Sequence, residues 1–259
     1  MPTVALGDDR SPSSDLALSW VESQRWPGWR LEIVQAEMPP FGPPVPPEES
    51  EAHEWQPPDP RQVSPAAEFA EVRYLTAKSD PRTVLLRPVD LLVIGPRGKG
   101  MLKSLHLGSV AEWVIARPTR PTVLVRSGAH VDNVLIAHDG SESSTAAIRG
   151  FSALPWAPAT RCTLMVVEDG RVDVAKATAG AESILDEAGV AVEVVHLHGS
   201  PTASVARELD RRNPDLVVLG TRGHTGFRRF HLGSTAGAII RSAHCSVLVA
   251  CADGADPEH

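Results

Sequence analysis

The chain has 259 residues, with 25 Lys and Arg against 32 Asp and Glu, which gives a formal charge of −7 and argues against nucleic acid as a partner. The hydrophobic fraction of 42% and the mean hydropathy of −0.10 are typical of a globular protein, and no apolar run approaches the roughly 20 residues of a membrane-spanning helix. The N-terminal MPTVALGDDR has no signal-peptide pattern, so we expect a cytoplasmic protein of two small domains or one large one.

The first half of the chain follows a strand, helix, strand plan as far as LEIVQAE. A helix belongs next, but the chain reads MPPFGPPVPPEESEAHEWQPPDP, whose prolines forbid a regular helix and whose acids favour solvation. The sequence therefore predicts that an acidic proline-rich loop, residues 39–60, replaces that helix. This loop is either a disordered or polyproline-like excursion, or a lid or partner-docking strap. The strand LLVIG, the helix VAEWVIA and the strand PTVLVR complete the half.

The second half has a more regular pattern of alternating strands and helices. The predicted strands are DNVLIAHD, TLMVVED, VAVEVVHL, DLVVLG and CSVLVA. The predicted helices are SESSTAAIRGFSAL with a serine N-cap, KATAGAESILDEAG with a glycine stop, PTASVARELDRRN with an initial proline, and TAGAIIR. Strands that alternate with helices predict βαβ units and a doubly wound α/β domain with a parallel sheet.

The two halves are copies of each other. VALGDDRSPSS at residues 4–14 matches VLIAHDGSESS at residues 134–144 without a gap, and residues 91–109 match residues 216–234 in the same way. A tandem duplication is the simplest account of two such matches in the same order. We therefore expect two domains, residues 1–129 and 130–259, each with a five-stranded parallel sheet. Trp26 and Trp156 stand at matching places and are interpreted as core anchors.

Each half carries the motif G-x2-G-x9-G-S directly after a predicted strand. Ligands of open α/β sheets bind beyond the carboxyl ends of the strands, where glycines let a ribose or phosphate approach the backbone. The closing Gly-Ser opens a helix whose N-terminal N–H groups favour an anion, and its serine hydroxyl can cap the helix, contact phosphate, or both. The motif residues are Gly95, Gly98, Gly108 and Ser109 in the first half and Gly220, Gly223, Gly233 and Ser234 in the second.

Charged side chains gather around both motifs. Asp9 and Asp139 end the first strand of each half, so we expect them in the same crevices as the glycines. Each can accept a hydrogen bond from an adenine amine or a ribose hydroxyl; the alternative is a capping role beside Ser11 or Ser141. Cations that would offset phosphate charge are Arg97, Lys99 and Lys103 in the first half and Arg222, Arg228 and Arg229 in the second.

The strand-end aspartates, the glycine motifs and the final VLV strands resemble the universal stress protein superfamily in its tandem two-domain form, over all but the proline-rich loop. The resemblance implies an adenine nucleotide α-hydrolase-like (Rossmann-like) fold and pairing of the halves through their final strands as an intrachain pseudo-dimer. It also implies ATP or another adenine nucleotide as ligand, and leaves open whether Mg²⁺ accompanies it and whether two chains form a homodimer. The implied contacts are Asp139, Val167, Leu219, Gly220, Gly223, Gly233, Ser234 and Thr235, and in the first half Asp9, Ala36, Ile94, Gly95, Gly98, Gly108, Ser109 and Val110.

Two features mark the first-half site as the weaker one. Pro96 removes a backbone donor that Thr221 keeps, and the proline-rich loop follows close on Ala36. We therefore expect the second half to be the better nucleotide site.

The resulting hypothesis is a nucleotide-dependent sensor or regulator with an unidentified protein partner, and with at most slow ATP hydrolysis. The alternative is an interaction module that works through its final strands and acidic loop. A true α-hydrolase would need a loop like S-G-G-x-D-S where this chain has DRSPSS and DGSESS. No metal site is expected, because His196 and His198 lack a completing ligand in sequence, and His106 and His231 are interpreted as packing or capping groups.

Overall fold

The computed structural model describes residues 1–36, 59–98, 107–168, 170, 172–222 and 232–252. The strands are β1 (Thr3–Gly7), β2 (Arg30–Ala36), β3 (Glu71–Ala77), β4 (Leu91–Ile94), β5 (Thr122–Leu124), β6 (Asn133–His138), β7 (Arg161–Glu168), β8 (Val192–His198), β9 (Leu216–Gly220) and β10 (Ser246–Ala250). The helices are α1 (Pro12–Ser23), α2 (Pro81–Val84), α3 (Ser109–Ala116), α4 (Glu142–Ser152), α5 (Val174–Glu187), α6 (Pro201–Arg212) and α7 (Ser234–Ser242).

All ten strands lie in one sheet, in the order β3-β2-β1-β4-β5-β10-β9-β6-β7-β8. Within each half the five strands are parallel, in the same doubly wound order. The halves join where β5 pairs antiparallel with β10, with Val123 opposite Leu248. The predicted fold class and the predicted pairing of the final strands are both confirmed.

Local sequence signals explain where the helices begin and end. Ser11 and Ser141 cap α1 and α4 through their side chains, and Ser200 caps α6, which has a proline in its first turn. Gly189, at φ 72°, follows α5 and ends it, as a glycine in the left-handed region commonly does. Among the described residues, no helix is long and apolar enough to cross a membrane.

The crossover from β2 to β3 differs from its counterpart in the second half. The second half uses α5 there, whereas the described residues 59–70 contain one short 3-10 turn, Pro65–Ala67. This segment runs along α1: the Ser64 N–H donates to Glu22 Oε1 at 2.7 Å, and the Trp26 N–H donates to the Ala67 carbonyl at 2.7 Å. Most of the predicted acidic loop, residues 39–58, lies outside the described residues.

Apolar side chains fill both faces of the sheet, and tryptophans concentrate on one of them. Trp26 is fully buried and Trp156 is 5% exposed, so both predicted anchors belong to the core. Trp20 lies against each of them, with ring centroids 6.5 Å from Trp26 and 5.9 Å from Trp156. One aromatic cluster therefore spans both halves of the chain on the face that α1 and α4 cover.

Candidate functional site

Each half turns from its first strand into its first helix around an aspartate. Asp9 Oδ1 accepts from the Ser11 N–H at 3.0 Å, and Asp139 Oδ1 accepts from the Ser141 N–H at the same distance. Asp139 Oδ1 also accepts from Ser144 Oγ at 2.7 Å. In each half one carboxylate oxygen therefore accepts a hydrogen bond within the turn, in agreement with the capping alternative. This bond fixes the carboxylate at the carboxyl edge of the sheet.

The same turn contacts the segment after the fourth strand of its half. Ser11 Oγ donates to the Arg97 carbonyl at 3.4 Å, and Ser141 Oγ donates to the Arg222 carbonyl at 3.2 Å. In the first half, a Cβ added at Gly98 would lie 2.6 Å from Asp9 Oδ2. The structure therefore brings the predicted aspartate and glycine motif together in one crevice, and a side chain at Gly98 would collide with the carboxylate.

The first glycine of each motif lies against the first turn of a helix. A Cβ at Gly95 would lie 2.6 Å from the Ser13 carbonyl oxygen, and a Cβ at Gly220 would lie 2.5 Å from the Ser144 nitrogen. Both distances are too short for backbone atoms that cannot move aside. The absent side chain lets α1 and α4 approach the strand ends, a packing reason that sequence reasoning had not assigned to these glycines.

The third glycine of each motif is the N-cap of the following helix. Gly108 N–H donates to the Pro96 carbonyl and Gly233 N–H to the Thr221 carbonyl, both at 2.8 Å. Ser109 and Ser234 are the first helical residues of α3 and α7, so of the alternatives given for their hydroxyls the structure contradicts helix capping, and phosphate contact stays a prediction. A glycine N-cap has no side chain that could accept a hydrogen bond. The N–H groups of the first helical turn therefore remain available to other acceptors.

Pro96 lacks the backbone N–H donor that Thr221 has at the matching position of the second half. The Thr221 N–H donates to the Ala250 carbonyl at 3.1 Å, which extends the pairing between β9 and β10. The donor that proline removes from the first half is therefore a sheet donor. Thr221 thus keeps the backbone donor that Pro96 lacks, but the structure uses it in the sheet, and the weaker first site stays a prediction.

The remaining predicted contacts lie at or just below the same edges. Ile94, Val167 and Leu219 are 4%, 6% and 5% exposed, and they form part of the core beneath the crevices. Ala36 ends β2, and Thr235 Oγ1 accepts from Thr202 Oγ1 at 3.2 Å in the first turn of α7. Val110 holds the matching position of α3. Outside the described residues lie Gly223, Lys99, Lys103, Arg228, Arg229, His106 and His231.

The first crevice has an ionic network that sequence reasoning missed. Asp8 is 4% exposed. Arg61 forms a bidentate ion pair with it, from Nη2 to Oδ1 at 2.6 Å and from Nε to Oδ2 at 2.9 Å. Gln35 Nε2 donates to Oδ2 at 2.7 Å, and Arg61 Nη1 pairs with the more exposed Asp15 at 2.5 Å. Burial alone would raise the pKa of Asp8, but the hydrogen bonds from Arg61, Gln35 and the Arg10 N–H hold it well below its usual range.

The repeat contains a signal for this network. In the alignment of the two halves, Asp8 matches His138, and Arg10 matches Gly140. A buried carboxylate needs a cation, and the described segment after the proline-rich loop supplies Arg61. In the alignment Asp8 is therefore a charged residue that the second half does not have at the matching position.

The two alternating histidines of β8 have partners of their own. His196 Nε2 lies 3.0 Å from Thr178 Oγ1, and His198 Nδ1 lies 2.9 Å from Glu168 Oε2. Within the part of the chain that the structure describes, no group of three or more His, Cys, Asp or Glu side chains could hold a metal ion.

Two segments of the chain match a known family model. The model of the Universal stress protein family matches residues 1–126 and residues 157–250. The chain belongs to the universal stress protein family. In this universal stress protein the second matched segment begins after β6 and α4, so the correspondence of Asp139 to Asp9 depends on the internal repeat and on the matching hydrogen bonds.

Some relatives match the universal stress protein over nearly its whole length. Universal stress protein Rv2005c of Mycobacterium tuberculosis is 25% identical over 291 residues, which cover 95% of this chain and 96% of the relative. Slr1230 of Synechocystis is 29% identical over 168 residues, but the match covers 61% of this chain and little more than half, 57%, of that relative. A solved universal stress protein from Archaeoglobus fulgidus has a TM-score of 0.68 at 20% identity and covers 96% of this chain and 98% of its own, which supports the fold.

Proposed function

We propose that the chain binds an adenine nucleotide, with ATP as the leading candidate, at the carboxyl edge of each half, and that it acts as a nucleotide-dependent regulator in the cytoplasm. The observation that carries the proposal is the repeated juxtaposition of a fixed aspartate with a glycine-rich segment. In both halves the serine of the aspartate turn bonds to the carbonyl of the residue two after the motif's first glycine, Arg97 or Arg222.

The chemistry of the crevice suits the parts of a nucleotide. The carboxylate of Asp9 or Asp139 accepts hydrogen bonds, as an adenine amine or a ribose hydroxyl requires. The N-termini of α3 and α7 begin at glycine caps, and their N–H groups and positive dipole ends favour phosphate oxygens. The apolar side chains of Val167 and Leu219 lie beneath the second crevice, where they would contact the base.

The proposal assigns binding to these crevices and no catalytic residue. The aspartates are engaged in their turns, and the expected activity is at most slow hydrolysis of a bound ATP. Signalling then requires a protein partner that distinguishes the nucleotide-bound chain from the empty one.

Calorimetric titration of the purified chain with ATP and with AMP tests the proposal, together with acid extraction and chromatography of any nucleotide that copurifies. Two equivalents of nucleotide per chain are expected, and Asp9→Asn and Asp139→Asn should each weaken one of them. Asp186→Asn is the matched control, because Asp186 lies exposed near the end of α5. A folded chain that contains no nucleotide and shows no saturable binding at millimolar concentrations contradicts the proposal and favours an interaction module.

A further inference from the structure

The aspartate turns of the two halves have the same shape but different residues at their centre. The residue after the aspartate has a positive φ in both: 59° at Arg10 and 75° at Gly140. Glycine adopts this conformation without cost, whereas a side chain with a Cβ is strained there. The first half therefore holds its turn against a strain that the second half does not have.

A network centred on Asp8 compensates for this strain. Asp8 Oδ1 accepts from the Arg10 N–H at 2.9 Å, which ties down the strained residue. The Arg10 guanidinium lies 3.4 Å from Asp8 Oδ2 and donates to the Asp59 carbonyl. The second half has His138 instead of Asp8, beside a glycine that needs no such support.

Arg61 allows Asp8 to take this position. The Asp8 side chain is 1% exposed and that of Arg61 is 16% exposed, so without the guanidinium the carboxylate would be a buried, unpaired charge. Arg61 is itself fastened, because Tyr74 Oη donates to its carbonyl and Asp15 accepts from its Nη1. These contacts link Arg61 through Asp8 to Arg10. Arg10 is the residue next to Asp9, whose carboxylate faces Gly98.

We propose that Arg61 and Asp8 are positioning residues of the first-half nucleotide site, and that they hold Asp9 in its binding position by stabilising the strained turn at Arg10. This inference rests on the proposed nucleotide function. Asp9 and Asp139 accept from the serine N–H two residues on at the same distance, so the network accounts for how two different sequences give the same aspartate geometry.

The test measures ATP affinity in the Asp139→Asn background, which reports the first half, and in the Asp9→Asn background, which reports the second. Arg61→Gln should weaken the first site by roughly tenfold and leave the second unchanged. Adding Asp8→Asn together with Arg10→Gly should restore the affinity, because asparagine leaves no buried carboxylate without a cation and glycine adopts the turn without strain. Arg61→Lys keeps the charge but loses the bidentate geometry, so it should reduce first-site ATP affinity by less. It replaces Arg61→Gln in the test if that variant does not fold.

Arg212→Gln is the matched control, because Arg212 also joins two acids, Glu193 and Glu208, at 2.9 and 3.0 Å, away from the aspartate turns. It should lower stability without changing either nucleotide affinity. Hydrogen exchange of the peptide that spans residues 4–16 adds a readout that needs no nucleotide. Exchange should be faster in Arg61→Gln and slower again once Asp8→Asn and Arg10→Gly are added together.

An unchanged first-site affinity in Arg61→Gln overturns the inference, as does a loss that Asp8→Asn together with Arg10→Gly does not rescue. A wild-type chain that binds nucleotide in the second half alone also overturns it while leaving nucleotide binding itself in place. If neither half binds nucleotide, the proposed function fails, and the exchange experiment still decides whether Arg61 and Asp8 hold the turn.

Discussion

Trp156 of the second half packs edge-on against Trp26 of the first, with ring centroids 6.1 Å apart and planes at 87°. The two residues hold matching places in the repeat, each just before the second strand of its half. Duplicated residues thus meet across the pseudo-twofold relation and form a contact between the halves in addition to the pairing of β5 with β10. Edge-to-face geometry of this kind stabilises beyond the area that it buries.

Trp156→Ala should lower the free energy of unfolding by about 3–5 kcal/mol, because it leaves a cavity where several aromatic rings meet. Urea titration followed by far-UV circular dichroism measures the loss. Trp113→Ala is the comparison, since Trp113 is partly exposed and stacks against Arg117 at 5.3 Å. If both substitutions have the same effect, the contact between the halves contributes no more than a surface aromatic does.

Asp8 should make the stability of the chain depend on pH. Its pKa in the folded state lies below the value of about 3.9 expected in the unfolded chain, so the ionised form stabilises the fold. This contribution is complete above the unfolded pKa and is lost as the pH falls from about 5 through the folded pKa. Asp8→Asn should therefore cost about 3 kcal/mol at pH 7 and progressively less below pH 5, as measured by urea titrations at a series of pH values.

Asp15→Asn separates the buried from the exposed partner of Arg61. The Asp15 side chain is 57% exposed, so its ion pair should contribute at most about 1 kcal/mol at pH 7. A loss for Asp15→Asn as large as that for Asp8→Asn would contradict the assignment of the buried carboxylate as the centre of the network.

Gly220 should not tolerate a methyl group. The added Cβ of Gly220→Ala would meet the Ser144 nitrogen at 2.5 Å, and the resulting shift of α4 should cost about 1–3 kcal/mol and weaken nucleotide binding in the second half. Gly180→Ala is the matched control, because its Cβ meets nothing within 4 Å on α5 and alanine favours a helix. Thermal denaturation and ATP titration of both variants test the prediction, which fails if Gly220→Ala is as stable as the control.

Ser141 and Ser200 offer a comparison between a cap at the crevice and a cap away from the glycine segment. Both cap a helix through Oγ, so each alanine substitution should cost about 1 kcal/mol in urea titrations. Ser141 also holds the Arg222 carbonyl, so Ser141→Ala should in addition weaken nucleotide binding in the second half. Equal nucleotide affinities for the two variants would show that the bond to Arg222 does not matter for the ligand.

Most of the fold could be predicted from the sequence because its signals are local or repeated. Apolar runs gave the strands, and serine and proline marked the starts of α4 and α6. The repeat then supplied the first half by analogy with the second, and the resemblance to the universal stress protein superfamily supplied the pairing of the final strands. The proline-rich segment was recognised as a departure from the repeat because proline excludes a regular helix.

The Asp8 network could not be predicted, because it depends on long-range geometry. Arg61 lies 53 residues from Asp8 in sequence, beyond a segment whose path no local pattern specifies. The acceptor of the Thr221 N–H could not be predicted for a similar reason, since the partner of a backbone N–H at a strand end depends on how far the neighbouring strand extends. Asp8 and Thr221 could both be identified in the sequence, but their partners, Arg61 and the Ala250 carbonyl, could not.

The antiparallel pairing of β5 with β10 determines at which edges of the sheet the two crevices lie. Because the strands of one half point opposite to those of the other, their carboxyl ends emerge at opposite edges of the shared sheet. Under the proposed function, nucleotides bound at these two edges would not contact each other, and any coupling between them would pass through the sheet. The two proposed sites would then act as separate inputs of one chain.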